Sequence, residues 1–345
     1  MVTITSLILA IFLILQDQII PALATSSSFP AILVFGDSLV DTGNNNFIPT
    51  LFRANHAPYG RDFPGGEPTG RFSNGRLMVD FLAEHLKIKD TVPPALQPEL
   101  DENDLRTGVN FASAGSGYDD ITSAGSVIPF SRQMEHLENY VSKLKQVAGD
   151  EAQNVLNNAL VVISCGSNDF GLSYFGGVRK VEFTLGGYQD FLLRKLEGFL
   201  KTMHEMGLRK IAVMGLPAGG CLPVISSIIR TCVEPTNAAA QVYNQKLKSM
   251  LSKLQASLPG SKLAYANIFD TWEDMFNNPH KYGFSVTSRG CCGGYLLVTG
   301  PLCNAFTPLC PDANQYMFWD NVHPTEAAYK NMAQALITET LPQLS

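Results

Sequence analysis

The stretch Ala31-Ile32-Leu33-Val34-Phe35-Gly36-Asp37-Ser38-Leu39-Val40-Asp41-Thr42-Gly43-Asn44-Asn45-Asn46 decides how this chain is read. Its first five residues are apolar and β-prone, and the run stops at a glycine and an aspartate. That pattern predicts a buried strand of a parallel sheet. Ser38 then falls just past the carboxyl end of the strand, where ligands bind in open α/β sheets. A serine there is a candidate nucleophile if a base can reach it. The alternative is a plain turn in which Ser38 caps a helix. What the rest of the chain brings to this edge decides between them.

Four further runs read as strands: residues 108–112, 159–164, 211–214 and 263–266. The first three of these break into small polar turns, Ser113-Ala114-Gly115-Ser116-Gly117, Gly166-Ser167-Asn168-Asp169 and Gly215-Leu216-Pro217. Helical patterns lie between them. Asn74 is placed to cap a helix running to about Leu86. Met134, Leu137, Val141 and Leu144 mark a helix over 131–147. Another helix spans 188–206. One over 235–254 is expected to turn Val242, Leu247, Met250, Leu251 and Leu254 inward. The last starts at Pro324, a favoured first-turn residue. Residues 43–74 and 90–106 read as loops, as does the cysteine-bearing segment before the last helix. Strands alternating with helices give an α/β fold with a mainly parallel five-stranded sheet. The strand ends of such a sheet gather on one edge, which brings Ser38, Gly115 and Asn168 into one crevice.

The first residues stand apart from this pattern. Leu7 to Leu15 is apolar but too short to span a bilayer, and Asp17 and Pro21 interrupt it. Ala22-Leu23-Ala24 is a small-residue cleavage signal, so residues 1–24 read as a secretory signal peptide and 25–345 as a single domain. Against 25 Lys and Arg stand 31 Asp and Glu, a formal charge of −6. That mild acidity gives no reason to expect a nucleic-acid partner or an anionic membrane surface. No integral membrane span is expected in the mature chain. Seven cysteines in a secreted chain imply disulfides. Cys221 and Cys232 flank a short loop and are expected to pair. Cys291 and Cys292 each take one of Cys303 and Cys310, in either order. Cys165, inside a strand-like run, is left as a buried free thiol. The cysteines and histidines match no C-x-x-C or H-E-x-x-H spacing, so neither a metal nor a cofactor is expected.

A serine hydroxyl needs a base, and there are six histidines. Those at 56, 85, 136, 204 and 280 lie in loops or on helix faces with no acid at a useful place. His323 lies in Phe318-Trp319-Asp320-Asn321-Val322-His323-Pro324. Asp320, three residues earlier, can reach the ring Nδ1–H and fix the tautomer. The serine comes first and the acid and base come together near the C-terminus. The G-x-S-x-G elbow of α/β-hydrolases is absent.

Taken together, these blocks resemble the plant-type GDSL esterase/lipase family of the SGNH hydrolases. The resemblance rests on residues 35–45, Gly70-Arg71-Phe72-Ser73-Asn74-Gly75-Arg76, Gly108 to Gly115 and Gly166-Ser167-Asn168-Asp169. It continues through Gly220-Cys221-Leu222-Pro223, Cys291-Cys292-Gly293 and Phe318 to Glu326. It implies a flavodoxin-like three-layer α/β/α sandwich, the SGNH hydrolase fold. It also implies a secreted, extracellular esterase or lipase that cleaves carboxylic esters of lipids or other acyl compounds through a covalent acyl-enzyme. Ser38 would be the nucleophile, His323 the base and Asp320 the orienting acid. The Ser38 and Gly115 N–H groups and the Asn168 side chain would form the oxyanion hole. Asp37 and Asp169 are expected to hold turns, and Asn44, Asn45, Asn46 and Arg71 to fix loops. Three alternatives stay open: an acyltransferase using the same site, a non-catalytic binding or defence protein, and Asn168 as a mere helix cap.

Overall fold

The structure, a computed structural model, describes residues 29–226 and 231–345. The expected signal peptide lies outside the described residues. Four parallel strands, β1 (Ile32–Gly36), β2 (Leu160–Ser164), β3 (Lys210–Met214) and β4 (Lys262–Ala266), form a sheet in that order. Phe35 pairs with Ile163, Ile163 with Val213 and Val213 with Tyr265. All residues of β1 and β2 are buried. This is why they read as unbroken apolar runs rather than alternating ones: both faces of the sheet are covered.

The cover is helical. The main helices are α1 (Met78–His85), α2 (Phe130–Ala148), α3 (Leu185–Glu205), α4 (Glu234–Ser257), α5 (Phe269–Asn277) and α6 (Glu326–Ala335). Helices α2, α3 and α4 form one layer. Phe130 meets Phe199 with ring centroids 4.8 Å apart, and Gln189 of α3 donates to the Ala239 carbonyl of α4. Helix α6 packs on α1 and α5 in the other layer. The architecture is therefore α/β/α around a parallel sheet.

Several expectations need correction. The expected strand 108–112 is not a full fifth strand; Asn110 alone makes parallel bridges, to Val34 of β1 on one side and to Pro94 on the other. The segment does lie along β1: Val34 N–H donates to Val109 O at 3.2 Å, Phe111 N–H to Val34 O at 2.7 Å and Ser113 N–H to Gly36 O at 3.0 Å. The segment leaves the β region at Gly108, with φ of 95°, and on the side away from β1 the Ala112 N–H donates to the Asn110 side chain. A second, two-stranded parallel sheet, β5 (Val286–Gly290) and β6 (Tyr316–Phe318), lies in the region read as loop, as does α5. A short helix, Glu102–Thr107, lies at the end of the other expected loop.

Helix boundaries also move. Asn74 does not cap α1; its side chain bonds Asp62 and the Glu326 N–H, tying the 70s loop to α6. Helix α1 starts at Met78, where the Asp80 carboxylate takes the Leu77 N–H. Pro324 lies outside α6, which is capped by the Thr325 hydroxyl. On α4 the buried stripe runs through Ala240, Tyr243, Leu247, Leu251 and Leu254, and Val242, off that stripe, is 45% exposed. The disulfides are Cys221–Cys232, Cys291–Cys310 and Cys292–Cys303, with Cys165 free and buried. Among the described residues, no helix is long and apolar enough to cross a membrane.

Candidate active site

The turn after β1 is built so that Ser38 points away from the sheet. Gly36 has φ of 140°, and a Cβ there would sit 1.8 Å from the Ser164 carbonyl oxygen, so only glycine fits. Asp37 then donates its N–H to Ser164 O and accepts the Leu39 N–H on its carboxylate. Val40 and Asp41 donate to the Asp37 carbonyl, closing a tight turn around Ser38.

His323 arrives from the loop before α6. Its Nε2 lies 2.9 Å from Ser38 Oγ, and its Nδ1 lies 2.8 Å from Asp320 Oδ2. The carboxylate contact favours the proton on Nδ1, leaving Nε2 to accept from the serine. Phe72 packs on the imidazole with ring centroids 4.7 Å apart. The five other histidines have no such pairing with a serine and an acid.

Asp320 is fully buried and well supplied with donors. Oδ1 accepts the Val322 and His323 N–H groups, each at 2.8 Å. Oδ2 accepts the Tyr59 hydroxyl at 2.6 Å, the Thr299 hydroxyl at 3.3 Å and the Gly300 N–H at 3.4 Å. Burial pushes this carboxyl up. The charge and hydrogen bond of His323, with the bonds from Tyr59 and the His323 N–H, outweigh burial and hold it below the ordinary carboxylate range. Tyr59 is pushed up in turn by burial and by the adjacent Asp320, so it stays a phenol and a donor. Asp320 caps no helix.

Ser38, Gly115, Asn168 and His323 line one cavity of about 190 Å³, together with Phe52, Leu172 and Pro301. Gly115 has φ of 86°, and a Cβ there would press on Phe52 and Val127 at 3.3 Å. Among the described residues, the N–H groups of Ser38 and Gly115 donate to no other protein group. Asn168 stands at the start of a π-helical turn, Asp169–Tyr174, but makes no side-chain cap bond. Its Nδ2 donates to Ser116 O at 3.0 Å, which leaves a second N–H for another acceptor.

Residues read as structural do hold these parts together. Asp41, to which the sequence assigned no role, joins them and accepts the Gly43, Asn44 and Ala114 N–H groups. Asn44 donates to the carbonyls of Asn110 and Ala112, and Asn45 to that of Ala114. These bonds fix the segment carrying Gly115 against the turn carrying Ser38. Asp169 accepts from Tyr118 N–H, Asp119 N–H and Thr122 hydroxyl, locking the Asn168 turn to the residues after Gly115. Arg71 forms a two-pronged pair with Asp80, also buried, at 2.8 and 2.9 Å. The sequence reading missed Tyr59, Thr299 and Gly300 as partners of Asp320. No residue pattern marks them, and 261 positions separate Tyr59 from Asp320. Among the described residues, no group of three His, Cys, Asp or Glu side chains is placed to hold a metal ion.

The family described as GDSL-like Lipase/Acylhydrolase matches residues 32–336. Two GDSL esterase/lipases of Arabidopsis thaliana are each 50% identical, one over 330 residues covering 92% of both chains, the other over 315 residues covering 88% of both. Among solved structures, an acetylxylan esterase from Geobacillus stearothermophilus is similar at 17% identity and a TM-score of 0.44, over 90% of this chain and 93% of that one. The chain belongs to the GDSL-like lipase/acylhydrolase family. It is a serine hydrolase of the GDSL type, acting on carboxylic esters.

Proposed function

We propose that Ser38 is the nucleophile of this hydrolase, with His323 as base and Asp320 as orienting acid. The observation that carries this is the aligned pair of contacts, 2.9 Å from Ser38 Oγ to His323 Nε2 and 2.8 Å from Nδ1 to Asp320 Oδ2. Ser38 Oγ attacks the ester carbonyl carbon as its proton passes to Nε2. Asp320 stabilises the imidazolium that forms. The carbonyl oxygen becomes an oxyanion held by the Ser38 and Gly115 N–H groups and the second N–H of Asn168. His323 then gives its proton to the leaving alcohol, and an acyl-Ser38 ester remains. Water, activated by the same histidine, releases the acid and restores Ser38. A nucleophile, a base and oxyanion donors lining one cavity, with the buried Asp320 behind the base, favour this reading over a non-catalytic binding protein, and the family favours hydrolysis over acyl transfer.

The substrate class is the acyl ester or lipid implied by the names of the curated relatives. Residues 25–345 form one domain in this reading, with 108–112 as the fifth strand of a flavodoxin-like sheet; the segment's three hydrogen bonds to β1 support that. The protein is secreted to the cell exterior. Three disulfides suit an oxidising compartment, and Ala22-Leu23-Ala24 offers the cleavage site. Protein expressed through a secretory route should start at Thr25 and hydrolyse a panel of carboxylic esters. Ser38→Ala should keep the melting temperature and lose nearly all turnover. A Ser38→Ala protein that hydrolyses the panel at the wild-type rate would overturn the assignment.

A further inference from the structure

Three stretches that reach the catalytic cavity are apolar and uncharged. Charged residues make up 16% of the chain, yet none lies in 42–52, 170–178 or 290–311. The first lines the cavity through Phe52, the second through Leu172 and the third through Thr299 and Pro301. Each also leaves large apolar side chains in water. Phe52 and Leu172 are themselves exposed, and next to lining residues Leu51 is 81% and Leu302 60% exposed. Phe306, on the third stretch, is 96% exposed. Its turn is hydrogen-bonded: the Thr307 hydroxyl donates to the Leu302 carbonyl at 2.9 Å and the Phe306 N–H to the Asn304 side chain at 3.0 Å, beside the Cys292–Cys303 bridge. The cations that border these stretches are engaged. Arg53 donates to the Asn45 and Ile48 carbonyls, Arg179 pairs with Asp119 and Glu182, and Arg289 lies over the rings of Tyr295 and Tyr316.

Exposed aliphatic and aromatic side chains gathered at one place mark a contact surface. A folded protein seated on these stretches would close the cavity, whereas a lipid surface would bring an ester to it. With no cation in the stretches and a formal net charge of −6 on the chain, nothing draws them to an anionic surface. We propose that Leu51, Phe52, Leu172, Leu302 and Phe306 form a rim that docks on the surface of a lipid aggregate without net charge, with the catalytic cavity facing the lipid. Burial of these side chains at the boundary of headgroups and acyl chains drives the docking. It concentrates ester at the cavity and leaves the chemistry at Ser38 as it is.

The test reads binding apart from turnover, so it is decided independently of the role given to Ser38. Secreted protein is mixed with vesicles of diether phosphatidylcholine, which offer no ester to cleave, and the bound fraction is measured by flotation. Wild type should float with the vesicles, and sodium chloride at about 1 M should not lower its partitioning. Replacing half of the lipid by the anionic diether phosphatidylglycerol should not raise it. The double variant Leu51→Ser, Phe306→Ser should partition about tenfold more weakly or less still. Neither residue lines the cavity, so its melting temperature and its kcat/KM for dissolved p-nitrophenyl acetate should match wild type. Leu302→Ser should weaken partitioning as well and covers the case in which the double variant does not fold. Val242→Ser, exposed on α4 outside these stretches, should bind as wild type does. Wild type that does not float, binding abolished by salt, a double variant and a Leu302→Ser protein that float as wild type does, or an equal loss in Val242→Ser overturns the proposal. A wild-type dimer in sedimentation that the double variant loses, without vesicle binding, also overturns it and gives the rim to a second copy of the chain.

Discussion

Two regions meet at Ser38, and their buried carboxyls behave in opposite ways. On the sheet edge, burial pushes Asp37 and Asp169 up to about 7 and Asp41 up to about 6. In the loop before α6, Asp320 is equally out of water and is held below its ordinary range. Burial is the largest influence on all four and always raises. Asp41 and Asp169 each accept three hydrogen bonds and still rise, whereas Asp320 accepts five besides facing the His323 ring. An orienting acid in a dry site therefore needs an adjacent base that can become cationic and a near-complete shell of donors. The means of holding each region differ as well. Parallel strands fix the edge that carries Ser38 and Asn168. The loop has little regular structure and is clamped by Cys291–Cys310 and Cys292–Cys303, with Cys292 N–H on the Trp319 carbonyl and Val298 N–H on the Asn321 side chain.

The comparison breaks most visibly at Asp320. Asp320→Asn should lower kcat by about 10⁴ with KM little changed, because an amide favours the wrong imidazole tautomer. An unchanged kcat would mean that another acid serves His323. On the sheet side, Asn168→Ala should lower kcat by about 10²–10³ and leave the melting temperature nearly untouched. The reverse, a lower melting temperature with kcat kept within a few-fold, would return Asn168 to a structural role.

A third change separates the two kinds of carboxyl by pH. Asp37 loses its proton at about 7 in the fold and at its ordinary 3.8 when unfolded. The native state thus binds the extra proton between these values, and this group costs stability as pH rises from about 4 to about 7. Asp37→Asn removes that dependence and keeps an acceptor for the Leu39 N–H. The melting temperature of Asp37→Asn relative to wild type should climb over that window and level off above it, by thermal scans across pH. A constant difference would show that Asp37 is ionised in the fold throughout. The smallest effect is expected at Tyr59. Tyr59→Phe removes one of the five donors to Asp320 and should lower kcat by about tenfold, the worth of one hydrogen bond to a charged group. A loss as large as that of Asp320→Asn would show that the donors act as one unit.

The sheet side was legible in the sequence because its information is local. A buried run followed by a small polar turn identifies β1 with Ser38 and β2 with Asn168. Asp320 and His323 are three residues apart and could be paired by spacing alone. The donors to Asp320 were not legible, since Tyr59, Thr299 and Gly300 come from aperiodic loops and meet it only through the tertiary fold. The two-stranded sheet was missed for a similar reason. Tyr316–Phe318 is three residues long, and Val286–Gly290 contains Thr, Ser, Arg and Gly and shows no apolar period. The segment at 108–112 misled because its apolar pattern is that of a strand, while it leaves the β region at Gly108 and its regular pairing is confined to bridges at Asn110.

The central claim is that Ser38 carries the acyl group during turnover. The direct measurement is acid quenching of the enzyme during turnover of an acyl p-nitrophenyl ester, followed by peptide mapping by mass. The account predicts the acyl mass on the peptide holding Gly36-Asp37-Ser38, more of it in Asp320→Asn if deacylation is the slower half, and none in Ser38→Ala. Acyl label on a different residue, with Ser38→Ala still turning over, would contradict it.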